Sequence, residues 1–212
     1  MFRAIIVALL MVVSGNLLYS QENGCSIAQD SVECAPETII ALRTNLLLPA
    51  LNIGAEIPVG NKWSFAADYY YPWIWPSKKN KECFEFLGWS AEWRYWFGKE
   101  RTVAKRFLGH SIALYGAGGY YDFQENYNGK QGEFFSTGFD YTYSMPLGKR
   151  GKVFMEFTVA VGYVRSDYRK YEVLADYGPL FKQDGEYLFE YVGPTKAAVS
   201  LVIPIRKKEG SK

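Results

Sequence analysis

His110 and Ser111 are the pair nearest to hydrolytic chemistry in this chain. A serine nucleophile needs a base within hydrogen-bond reach of its hydroxyl. Neighbours on a strand point to opposite faces, so in an extended segment His110 does not serve Ser111. His110 is the single histidine of 212 residues, and it is expected as an interface residue beside the Gly109 turn. Cys25, Cys34 and Cys83 have no metal-ligand spacing with it. Cys25 and Cys34 are placed to close a short disulfide loop after export, and Cys83 is left free or buried near a loop. No catalytic residue, metal or cofactor is expected.

A second set of residues carries charge of both signs: Arg43, Asn45, Asn52, Glu56, Asp68, Glu92, Arg94, Asp140, Glu156 and Lys196. Each falls opposite the apolar phase of a segment with period-two alternation. Placed inside a narrow ring of strands, such groups pair and fill it, because an unpaired buried charge costs several kcal/mol, of the order of 3–5. The competing chemistry is a proton or ion path, or a carboxylate pair for acid–base work. Glu92 and Arg94 are two apart and share a face. The partners expected are Arg43 or Lys196 for Glu92, and Asp68, Glu56 or Asp140 for Arg94.

Eight strands are needed to carry this set. Alternation places them at about 39–48, 51–59, 63–73, 84–97, 110–123, 134–145, 153–164 and 195–205. Most are about ten residues long, the length a tilted strand needs to cross a bilayer. Short turns are expected at 58–62 and 147–152, a tight one near Pro49-Ala50, and a longer basic connection at 98–109. Outer loops are expected at 72–83, 124–133 and 165–192, the last rich in tyrosine and suited to contacts. Aromatic residues gather at both strand ends. One belt takes Trp63, Phe65, Trp93, Tyr95, Phe97, Tyr141 and Tyr143. The other takes Tyr69, Tyr71, Trp73, Trp75, Phe84, Phe86, Tyr120, Tyr121, Phe123, Phe134, Tyr163 and Tyr191.

Composition agrees. Phe, Trp and Tyr make up 17% of the chain and the net charge is +2, which gives no basic face for nucleic acid. Arg3 followed by the apolar run 4–13 reads as a signal peptide over 1–20, too short to span as a helix. Residues 21–38 read as a flexible periplasmic leader, 39–206 as the barrel and 207–212 as a basic tail. The fold class expected is all-β, an eight-stranded antiparallel transmembrane β-barrel of the outer membrane.

Four segments carry a family likeness: Thr44-Asn45-Leu46-Leu47, Asn52-Ile53-Gly54-Ala55-Glu56, Glu92-Trp93-Arg94-Tyr95-Trp96 and Gly193-Pro194-Thr195-Lys196-Ala197. Together they resemble the domain-of-unknown-function 3575 family of bacterial outer-membrane barrels, over about 39–205. The resemblance implies an outer-membrane barrel and brings no established activity. It also implies an association with surface appendages of the fimbria type. The expectation is a non-enzymatic outer-membrane barrel with an envelope-structural or surface attachment or assembly accessory role. Its partners would be outer-membrane lipid and, through the outer loops, appendage or envelope proteins, with no nucleic acid. The alternatives are an outer-membrane enzyme acting on lipid and a soluble secreted β-sandwich that binds a ligand.

Overall fold

The computed structural model describes residues 38–48, 51–77, 82–98, 107–125, 127–148, 152–174 and 180–206. The signal peptide, most of the leader, Cys25, Cys34 and the basic tail expected from the sequence lie outside them. The strands are β1 Thr38–Asn45, β2 Asn52–Val59, β3 Trp63–Ser77, β4 Glu82–Trp96, β5 Gly109–Glu125, β6 Asn128–Leu147, β7 Val153–Leu174 and β8 Leu180–Arg206. Each pairs antiparallel with the next, and β1 pairs with β8, so the eight close into a ring. Closure leaves no sheet edge where the ring is complete.

Alternation builds this ring directly. Along β4, Gly88, Ser90, Glu92, Arg94 and Trp96 are buried while Trp89 and Trp93 are exposed. Along β7, Phe154, Glu156, Thr158 and Ala160 point in, and Val159 and Val161 point out. A tight turn forms where Gly60 adopts positive φ, at the first of the short connections expected, and Gly148 adopts positive φ just after β6.

The structure corrects several expectations. Residues 124–133 and 165–192 are mostly strand, not loop: β5 and β6 pair to Glu125–Asn128, and β7 and β8 to Leu174–Leu180. Likewise β3 runs to Ser77 and β4 starts at Glu82. The extensions of β5, β6 and β7 carry polar groups on both faces, which erases the alternation that marks a half-apolar strand. Cross-strand pairs hold them instead: Tyr168 stacks on Tyr187, Lys170 sits 4.1 Å above the Tyr187 ring, and Arg169 bonds Glu186 at 2.5 Å. The connection near Pro49 is longer than a tight turn, because β1 stops at Asn45 and β2 starts at Asn52. Thr38, assigned to the leader, opens β1 opposite Arg206.

Six of the ten described residues of the outer aromatic belt also face the other way; the side chains of Trp73 and Trp75 lie outside the described residues. Tyr69, Tyr71, Tyr120 and Tyr163 share the outward phase of their strands. Phe84, Phe86, Tyr121, Phe123 and Phe134 share the inward phase of Ser90, Tyr115 and Ser136, and they stack as Phe84–Phe123 and Phe86–Phe134. Tyr191 turns inward because of a β-bulge: Ala160 pairs with Lys196 but Val161 pairs with Pro194, which leaves Thr195 over and swaps the faces beyond it. The lower belt keeps its assignment. Trp63, Phe65, Trp93, Tyr95 and Phe97 form a chain of ring contacts, and His110 packs on Tyr141 and Tyr143.

One end of the ring is closed by an apolar floor. Ala41, Trp96, Phe107, Phe154 and Val202 form a buried cluster, with Trp96 and Phe107 each only 1% exposed. Phe107 comes from the basic connection after β4, and its ring meets Trp96 edge-on.

Candidate functional site

Above that floor lies the charged layer. Arg94 is completely buried, and its Nη1 lies 3.1 Å from Glu56 Oε2 and 3.0 Å from Glu156 Oε2. Its Nε donates to Glu92 Oε2 at 2.7 Å. Arg43 Nη1 reaches the same Glu92 oxygen at 3.3 Å, and its Nε lies 3.1 Å from Asp68 Oδ1. Lys196 closes the set by donating to the other Glu92 oxygen. The expected partners of Glu92 are therefore both present. For Arg94, Glu56 is present, Glu156 joins it, and Asp68 instead pairs with Arg43.

Small residues make these crossings geometrically feasible. The rung through Arg43 runs Arg43, Gly54, Asp68, Ser90. A Cβ on Gly54 would lie 1.9 Å from Asp68 Oδ1 and 2.7 Å from Arg43 Cγ. The rung through Arg94 runs Ser64, Arg94, Ala113, Asp140, Ala160, Lys196. Long charged side chains thus alternate with Gly, Ala or Ser around the ring and lie over their small neighbours. Hydroxyls add further bonds to two of the carboxylates. Ser64 donates to Glu56 at 2.5 Å while accepting from Trp96 Nε1 at 2.7 Å, and Ser90 donates to Asp68 at 3.1 Å. Charges in a low-dielectric interior need this dense pairing.

Three of the residues assigned to the network stand apart. Asn45 and Asn52 do not reach the charged layer. They sit at the ends of β1 and β2 and clamp the connection: Asn52 Oδ1 accepts from Asn45 N at 2.5 Å, and Asn52 Nδ2 donates to the Asn45 carbonyl at 2.9 Å. The Asn52 side-chain amide substitutes for the ladder bonds a tighter turn would have made. Asp140 is buried in the layer, but neither of its oxygens has a hydrogen-bond partner among the described residues.

A hydroxyl layer follows. Tyr115 lies along the rung Tyr115, Gly138, Gly162, Gly193, where three successive glycines leave space for its side chain: a Cβ on Gly162 would lie 2.8 Å from the Tyr115 hydroxyl. Its hydroxyl bonds Ser136 at 2.9 Å and Thr195 across the ring. Thr142 and Thr158 bond each other at 2.8 Å lower down. Sequence reasoning missed this layer, although glycines aligned in register opposite a tyrosine were its signal. Above it, inward aromatics line an open cup of about 810 Å³ whose wall includes Phe86, Tyr121, Tyr168 and Tyr187.

Three cations, Arg43, Arg94 and Lys196, and five carboxylates, Glu56, Asp68, Glu92, Asp140 and Glu156, pack together inside the ring. Ser111 is buried and His110 is exposed, as alternation requires, and His110 Nδ1 lies 2.6 Å from the Tyr141 hydroxyl on the outside. No cluster of three His, Cys, Asp or Glu side chains suited to a metal exists among the described residues. Cys83 is a free thiol, 3.8 Å from a Glu85 carboxylate oxygen. A family model described as Protein of unknown function (DUF3575) matches residues 11–205. No curated protein and no solved structure matches the chain.

Proposed function

We propose that this chain, which belongs to the DUF3575 family, is an outer-membrane β-barrel with a non-enzymatic role as an attachment or assembly accessory of the envelope. The observation that carries the location is an inversion of polarity. The interior holds the buried charges, and the exterior of every strand holds bare apolar side chains: Leu42, Ile57, Phe65, Trp93, Leu114, Phe139, Val159 and Ile203. Phe139 is 66% exposed and Val159 54%. Soluble proteins rarely leave an apolar band that continues around the whole molecule. A bilayer is the solvent that suits it, with outward rings of Trp and Tyr at the level of the headgroups.

The role follows from what the interior does. The floor and the charged layer plug the ring, so it is not a solute channel. The recess that remains open is the aromatic cup, walled by the strand extensions above the belt. A plugged barrel that lifts a tall polar rim presents a surface for other molecules.

Location and role are tested separately. The mature protein should require detergent, sediment with outer membranes and migrate differently on a gel before and after boiling. A monodisperse detergent-free protein would end the membrane reading. Lipid A mass profiles should be the same with and without the gene, and a changed acylation pattern would replace the accessory role by lipid chemistry.

A further inference from the structure

The wall of the ring is uneven in height. β8 pairs with β7 from Leu180 onward but with β1 only from Ser200 onward. One more bond, from Leu46 N–H to the Val199 carbonyl, closes that seam. On the other side, β3 pairs with β2 only as far as Tyr70, and Tyr71 N–H reaches the Leu51 carbonyl. Its pairing with β4 continues to Ser77. Above the short β1–β2 hairpin the wall therefore has a notch. Both flanking strands are paired on one side only among the described residues.

A free strand edge presents a row of backbone donors and acceptors, and soluble proteins blunt such edges with charge or proline. Over residues 188–192 this edge carries four large apolar or aromatic side chains and one charge, Glu190, which accepts from the Tyr163 hydroxyl. Val192 is 79% exposed and Leu188 53%, and Phe189 and Tyr191 stack on each other beside the cup. Pro194 lies at the foot of the segment, a position proline tolerates when one side of a strand has no partner. It confines the unbroken run of N–H groups to the residues above it.

From this we infer that the notch receives an extended segment of a partner protein, added antiparallel to β8 along residues 188–192. Such a segment has apolar or aromatic side chains at alternate positions to pack on Phe189 and Tyr191, and backbone groups to complete the ladder. Acyl chains match the side chains but leave the backbone groups unsatisfied. A symmetric pair of copies in one membrane sets both β8 strands in the same direction, so antiparallel pairing is closed to it. That exclusion alone rests on the membrane reading above.

The test places the photo-crosslinker p-benzoylphenylalanine at Leu188 and, separately, at Val192, in native membranes, and maps the adducts by mass spectrometry. Adducts should fall on one partner segment, about four residues apart and in reverse order. Amide exchange over residues 188–192 should be slower in those membranes than in purified protein in detergent, by about tenfold or more. Adducts confined to lipid, to a second copy or to residues 21–37 of the same chain would overturn the inference, as would equal exchange rates. Fractionation scores location separately: a soluble protein with reverse-ordered adducts would sink the membrane reading and keep the edge pairing.

Discussion

Arg43 and Asp68 face each other across Gly54, and their ion pair occupies the space its side chain would fill. Gly54→Ala should therefore cost about 1–3 kcal/mol, the usual penalty for overpacking a fixed interior. Gly116→Ala is the control, because nothing lies within 4 Å of the added methyl. Urea unfolding in detergent reads both. Equal midpoints for Gly54→Ala and the parent would mean that the rung is not assembled as described.

Val159 lies on the outward face of β7 between Thr158 and Ala160, both of which are buried. If lipid surrounds it, Val159→Arg should destabilise the folded protein by about 2–4 kcal/mol, as arginine does near the middle of a bilayer. Ile203→Arg on β8 should behave alike. A tolerated arginine at both positions in native membranes would argue for water outside the ring.

The sequence was legible where one face is apolar. In β4 and β7, Trp93 against Arg94 and Val159 against Thr158 mark the phase unambiguously, and the charged layer follows from that phase. Legibility failed where the contrast vanished. Arg169, Lys170 and Glu186 look like loop residues because both faces of their strands are polar there. Phe84 and Phe123 read as outward from sequence because aromatic residues suit a belt and a cup equally. Tyr191 could not be oriented without the bulge at Thr195, which shows only in the pairing register. Phe107 was hidden in a basic connection, and nothing local says that its ring turns into the floor. Asn45 and Asn52 have the right phase for the charged layer, but they stand too near the strand ends to reach it.

Tyr171 stands above the apolar belt and donates to Asp122 at 2.6 Å, its ring lying over Gly129. Burial, and then the bond to Asp122, hold its phenol above the ordinary range. The sign follows from the direction of that shift. A raised folded value gives stability that is fully present below the unfolded value of about 10 and is lost as pH rises through the folded one. The outer ends of β5 to β7 should loosen in strong alkali, and Tyr171→Phe should remove part of that sensitivity. Absorbance titration of the phenolates checks it: the parent should hold one more late-titrating tyrosine than the variant. Superimposable alkaline limbs would reject the assignment.

Arg94 is the residue on which the charged layer depends most. It contacts Glu56, Glu92 and Glu156 at once, and it is completely buried. Arg94→Leu leaves those carboxylates facing one another with only Arg43 and Lys196 nearby, so the expected cost is about 3–5 kcal/mol. A compensating change at one partner should recover only part of this, because the other two carboxylates remain. Arg94→Leu combined with Glu56→Gln and Glu156→Gln should recover most of it, since Glu92 keeps both Arg43 and Lys196. Arg94→Lys should fall between, as one ammonium cannot match a fork that meets several carboxylates. Thermal and urea unfolding in detergent rank the four variants against the parent. If Arg94→Leu unfolds with the parent, Arg94 does not hold the plug together. If the triple variant is no better than the single one, the loss came from packing around the guanidinium and not from stranded charge.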